Sequence, residues 1–156
     1  TLLSSLEAKK VIFVSSSPQI RYPDCYGIDM SKMNQFVAFR GLIRLIKLNK
    51  KDNLLEEVYQ KCKRSLTENN PKNHVKELYD LFSYEDISDS VSEIVKPEGF
   101  KSELKIIYQT IENLNDACPN HLGDWYFTGN YPTSGGNRVA NRSFMNYCDG
   151  ISERAY

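Results

Sequence analysis

Val11-Ile12-Phe13-Val14-Ser15-Ser16-Ser17-Pro18-Gln19-Ile20-Arg21-Tyr22-Pro23-Asp24-Cys25-Tyr26-Gly27-Ile28-Asp29-Met30 is the stretch on which the fold of this 156-residue chain turns. Its first four residues are apolar and β-branched or aromatic, the make-up of a strand buried on both faces. Ser15, Ser16 and Ser17 then lead out of the sheet into a loop shaped by Pro18, Pro23 and Gly27. Asp29, or Ser31 just beyond it, is placed to cap a following helix. Open α/β sheets build the ligand crevice at their strands' carboxyl ends from this order of strand, polar loop and helix. The expected class is α/β.

Outward from the loop, Met33 to Lys47 carries Phe36, Val37, Phe39, Leu42, Ile43 and Ile46 at helical spacing, with Gly41 inside as a mark of close packing. Asn53 and Glu56 resemble a capping pair for a second helix whose face is Leu55, Val58, Tyr59, Cys62 and Leu66. A third helix would show Val75, Leu78, Tyr79 and Phe82. Ser83 with Asp86 opens a fourth, bearing Ile87, Val91, Ile94 and Val95 and stopped by Pro97 and Gly99. Leu104, Ile106 and Tyr108 alternate with polar residues as in a short strand, after which Thr110 can cap a short helix. Five of the eight glycines follow Cys118, among Trp125, Tyr126, Phe127 and Tyr131, which predicts an aromatic-rich loop packed on another part of the chain. The last helix is expected from about Asn137 to Cys148.

Composition bounds what this chain can do. Hydrophobic residues make up 40% of it, enough for a core and too many for a disordered segment. With 20 basic and 20 acidic residues the formal charge is zero, so no basic excess marks a nucleic-acid or anionic-membrane partner. No apolar run can span a bilayer, and no secretory leader is visible. The chain opens on Thr1, and Leu2 to Ala8 reads as the last turns of a helix whose start is missing, so a truncated protein is expected. Cys25, Cys62, Cys118 and Cys148 are widely scattered and read as free thiols.

Ser15, Ser16 and Ser17 sit where a crevice would lie and could bond a phosphate or sugar hydroxyl; the plainer reading is a strand end satisfying its own backbone. Asp24 and Tyr26 have no evident capping or turn duty, which makes them the stronger candidates. Ser134-Gly135-Gly136-Asn137-Arg138 precedes the last helix. There Gly135, Gly136 and Arg138 form a weak anion-site candidate, against the plainer reading of a glycine turn. Cys118-Pro119-Asn120-His121 has two-residue ligand spacing, but zinc needs more partners, so a buried thiol beside a surface histidine is preferred and no metal is expected.

The opening stretch resembles the segment after the ribose-phosphate-binding loop in the amidophosphoribosyltransferase family (glutamine phosphoribosylpyrophosphate amidotransferase). That family has a strand, a small-residue run, a proline pair, an arginine, then Tyr-Gly-Ile-Asp-Met or a close variant. Ser16, Ser17, Pro18, Arg21, Pro23 and Tyr26 to Met30 meet this pattern. Phe127-Thr128-Gly129-Asn130-Tyr131-Pro132-Thr133 is a second match, far downstream and in the right order. The likeness covers about residues 9 to 46 and 104 to 133 and is looser between.

The resemblance implies the end of a type I phosphoribosyltransferase-like parallel sheet over 1–49. A helical insert over 50–100 would follow, tied to no family motif, then a strand–helix and aromatic, glycine-rich segment over 101–156. In the family an amino-terminal domain hydrolyses glutamine with a cysteine nucleophile. The ammonia passes through a channel and displaces pyrophosphate from phosphoribosyl pyrophosphate, giving phosphoribosylamine, the first step of purine synthesis. This chain keeps neither the nucleophile nor the magnesium- and phosphate-binding residues. Magnesium, the absent glutaminase and phosphoribosyltransferase portions, homo-oligomerisation and a cytoplasmic location are implied for the whole enzyme only. The fragment alone is expected to be inactive, with Ser15, Ser16, Ser17, Asp24 and Tyr26 bordering the active site or the channel. Some members carry an iron–sulfur cluster, and at three of its ligand positions stand Gly123, Tyr126 and Asp24, with Cys25 one place along. No thiolate stands at these positions, so no cluster is expected. The rival expectation is a non-catalytic helical interaction or regulatory module derived from that fold.

Overall fold

The computed structural model describes residues 8–26, 30–120 and 123–155. Strands β1 (Lys10–Ser15) and β2 (Glu103–Tyr108) pair in parallel, from Lys10 opposite Glu103 to Ser15 opposite Tyr108. Parallel neighbours need a long crossover. It is built from α1 (Val37–Leu48), α2 (Asn53–Ser65), α3 (Lys76–Tyr79) and α4 (Tyr84–Val95). After β2 come α5 (Ile111–Ala117), α6 (Trp125–Thr128) and α7 (Ser134–Cys148).

The strand expected to be buried on both faces is open. Ile12 is 50% exposed, Phe13 47% and Val14 76%. The reason is that among the described residues the sheet has two strands, so β1 pairs along one edge and little covers its faces. The outer edge of β2 is different: Ser92 of α4 accepts the Ile106 amide at 2.9 Å, so the helix satisfies backbone that another strand would otherwise need to pair.

Helix α4 begins with the expected capping box, in which Ser83 Oγ accepts from the Asp86 amide at 3.0 Å and the Asp86 carboxylate accepts from the Ser83 amide at 2.9 Å. Its buried face is small: Ile87, Ser88, Ser90, Val91 and Ser92. That lets α1 come close. A Cβ on Gly41 would lie 3.0 Å from Val91 Cγ2 and 3.3 Å from the Ile87 carbonyl oxygen, so Gly41 does mark close packing. Helix α7 packs on α2, where the buried Asn141 accepts from the His74 amide at 3.1 Å and donates to the Lys72 carbonyl at 2.7 Å. Tyr22, Phe36, Phe39, Leu42, Val58, Val75, Tyr79, Val91, Tyr131 and Phe144 belong to one apolar core, to which every third of the chain contributes.

Several local expectations are corrected. The helix from Met33 is broken: a 3-10 turn, Met33–Gln35, is followed by Phe36 in extended conformation, which turns its ring into the core before α1 starts. Ser31 does not cap a helix; it is buried, and its carbonyl accepts from Ser143 Oγ. Asn53 is the first residue of α2 and its amide donates to Glu57, while Asp52 before it makes no side-chain cap. The third helix is one turn. Helix α7 starts at Ser134, three residues early, so Gly135 and Gly136 are helical instead of forming a turn, and a Cβ on Gly136 would collide with the Tyr131 ring. Cys118 is exposed, not buried. Asp29, His121 and the expected helix end at 1–7 lie outside the described residues.

Candidate functional site

The loop after β1 starts with self-contained hydrogen bonds. Ser15 Oγ donates to the Ser17 carbonyl at 2.9 Å and accepts from the Ser17 amide at 3.2 Å, while Ser17 Oγ donates to the Pro18 carbonyl at 3.1 Å. These bonds are the strand-end pattern. Ser16 is exposed.

Further on, the loop meets the second motif. The amides of Arg21 and Tyr22 both donate to the Tyr126 carbonyl, at 2.8 and 3.1 Å. Asp24 is fully buried; its Oδ1 accepts from the Tyr26 amide at 3.2 Å and from the Tyr126 hydroxyl at 3.1 Å. The Tyr131 hydroxyl donates to the Pro23 carbonyl. Tyr26, 49% exposed, sets its ring edge-on to Trp125 with centroids 5.2 Å apart, and its hydroxyl lies 3.3 Å from Thr133 Oγ1. Gly129 closes α6 in the left-handed region at φ 71°, where a Cβ would also lie 2.8 Å from the Tyr22 ring and 2.7 Å from Asn73.

So Asp24 and Tyr26 have structural duties that the sequence concealed, and they stand together with Trp125, Tyr126 and Thr133. Burial pushes the Cys25 thiol and the Tyr26, Tyr126 and Tyr131 phenols up from their ordinary values; the Asp24 carboxylate adds to this at Tyr126. These phenols stay protonated at neutral pH, and those of Tyr126 and Tyr131 act as donors. Of the anion-site candidates, Gly136 packs against the Tyr131 ring, while Arg138 is engaged elsewhere. The Arg138 guanidinium donates to the carbonyls of Leu66, Glu68 and Asn69 just beyond α2, and so closes that helix end.

Sequence reasoning assigned no role to Gln19 or Tyr84 and placed Tyr79 only on an apolar helix face. Gln19 is buried and donates to the Tyr84 carbonyl and Ser88 Oγ at 2.9 and 2.8 Å. A polar residue between Pro18 and the apolar Ile20 was the one local hint. Beside Tyr84 and Ser88, an open cleft of about 340 Å³ runs along β2 between Glu85, Asp89, Lys105 and Ile107. Among the described residues no group of three or more His, Cys, Asp or Glu side chains could hold a metal ion.

Over 65 residues, 41% of this chain, the sequence is 38% identical to the amidophosphoribosyltransferase of Pasteurella multocida. Over 35 residues, 22% of this chain, it is 49% identical to the amidophosphoribosyltransferase of Haemophilus influenzae. The similarity is to a transferase, and it is partial. The matched stretches amount to 13% and 7% of those relatives, so the chain spans a small part of the length of the curated proteins it matches. No family model matches the chain, and no solved structure matches it. No helix among the described residues is long and apolar enough to cross a membrane.

Proposed function

We propose that this chain is the carboxyl-terminal part of an enzyme that makes 5-phosphoribosylamine from phosphoribosyl pyrophosphate and glutamine, and that it is inactive alone. The observation that carries the reading is spatial. The two stretches on which the resemblance rests pack together, joined by the Tyr131 hydroxyl donating to the Pro23 carbonyl across 108 residues. Partial similarity to two amidophosphoribosyltransferases supports it. So does the sheet, because parallel sheets are built with both faces covered, and β1 has the apolar composition of such a strand without the cover. In this reading β1 and β2 close a phosphoribosyltransferase-like sheet supplied by the rest of a longer polypeptide.

In the reaction, the nitrogen of ammonia forms a bond to C1 of the ribose as the bond from C1 to the pyrophosphate oxygen breaks, and the amine sheds a proton. The rest of the enzyme brings phosphate- and magnesium-binding groups; among the described residues no cluster of three or more His, Cys, Asp or Glu side chains could hold a metal ion, and no step is routed through this chain's residues to a metal. Ser15, Ser16, Ser17 and Asp24 border the site, and Tyr26 with its exposed ring lies towards the site or the ammonia path. An iron–sulfur cluster does not fit. Of the three ligand positions, Asp24 and Tyr126 are hydrogen-bonded to each other through oxygen, and Gly123 has no side chain. The enzyme is proposed to be cytoplasmic and homo-oligomeric, without nucleic acid or membrane.

The test is a chimera in which this chain replaces the matching segment of the Pasteurella multocida relative. The chimera should form phosphoribosylamine, and this chain alone, given ammonia, magnesium and phosphoribosyl pyrophosphate, should form none. A folded chimera without activity, or turnover by the chain alone, contradicts the proposal.

A further inference from the structure

We propose that Arg21 is the positioning residue of the loop after β1, and that α3 and α4 hold that loop through it; its bearing on catalysis rests on the function proposed above. The Arg21 guanidinium carbon lies 4.9 Å from the Tyr79 ring centroid and 4.8 Å from that of Tyr84, so the cation contacts two aromatic rings. Its Nε and one terminal nitrogen both donate to Gln19 Oε1, at 3.0 and 2.8 Å. Gln19 is in turn fixed on α4 through the Tyr84 carbonyl and Ser88 Oγ, and its amide donates to the Tyr84 hydroxyl at 2.7 Å. The backbone is held as well: the Tyr79 hydroxyl donates to the Arg21 carbonyl at 3.0 Å.

On its other side the same residue meets the aromatic segment that leads into the second motif, since the Arg21 and Tyr22 amides share the Tyr126 carbonyl. Arg21 is thus where the helical segment, the loop and the aromatic motif join, three residues before Asp24. The chemistry asks for a guanidinium. A planar cation can lie against aromatic rings and fork onto one carbonyl oxygen at once, whereas an ammonium is a compact point charge that cannot do both. The neutral amide partner makes this an orienting contact and not a charge pair. It also gives the otherwise unexplained stretch from 76 to 95 a duty at the site.

The test is amide hydrogen exchange of the 156-residue chain with Arg21→Lys. Tyr22 and Asp24 report the loop, because their amides donate to Tyr126 and Met30, and Leu42 in the core of α1 reports global opening. Exchange at Tyr22 and Asp24 should rise about tenfold, the scale of one desolvated cation–π contact, while Leu42 changes much less. Val58→Ala in α2, a core truncation away from the loop, should instead accelerate all three together. Should Arg21→Lys fail to fold, Arg21→Met removes the cation and its fork while leaving the Tyr84 hydroxyl on the Gln19 amide, and reads the same amides. Native protection of Tyr22 and Asp24, or equal acceleration at Leu42, overturns the proposal. An inactive chimera would remove the proposed reaction and leave this exchange result standing. A null exchange result would remove the positioning role and leave the reaction.

Discussion

At Asp24 a carboxylate is taken fully out of water and kept there by a tyrosine 102 residues away. A buried acceptor that loses one donor bears the desolvation cost of the vacated position. Tyr126→Phe is therefore expected to destabilise the chain by about 1–3 kcal/mol, whereas Asp24→Asn, which nearly keeps volume and still accepts, should cost less. Urea denaturation of both variants measures this, and equal costs would show that the bond between them contributes little. Nothing in the sequence pointed to this partner, because the Tyr126 hydroxyl arrives through tertiary packing. The same holds for Arg138, whose carbonyl partners lie near residue 68. The types of the candidate residues were legible, and their duties were not.

Among the elements, most helices were legible from their apolar spacing and from the Ser83–Asp86 box, and β2 from its alternation, whereas the one-turn helix Trp125–Thr128 lies in a stretch read as loop. What escaped were the points where packing overrides periodicity. Phe36 leaves the helix to bury its ring, and Gly136 is helical with the Tyr131 ring packed where a Cβ would lie. Gly41 offers a test at this scale. In an exposed helix, replacing glycine by alanine gains about 1 kcal/mol. At Gly41 the new methyl would press on Val91 and on the backbone oxygen of Ile87, so Gly41→Ala should give no gain or a loss. Combined with Val91→Ala, which frees the side-chain contact, the same change should recover part of the propensity gain. Thermal unfolding of the two singles and the double measures the coupling, and strict additivity would mean that α1 and α4 are not in close contact there.

For the molecule as a whole, the strand that pointed to the α/β class is also one whose apolar side chains are left exposed. Reading Val11 to Val14 as an interior strand rests on composition, and composition does not reveal how many neighbours the described chain supplies. In this structure there is one. The central claim is that β1 completes a larger sheet, and Val14→Lys addresses it most directly. Val14 is 76% exposed in this chain, so the lysine should change the stability of the chain alone by no more than about 0.5 kcal/mol. In the chimera with the Pasteurella multocida relative, where β1 would be covered, the same lysine should abolish soluble folding or phosphoribosylamine formation. A Val14→Lys chimera as stable and as active as its parent would contradict the account.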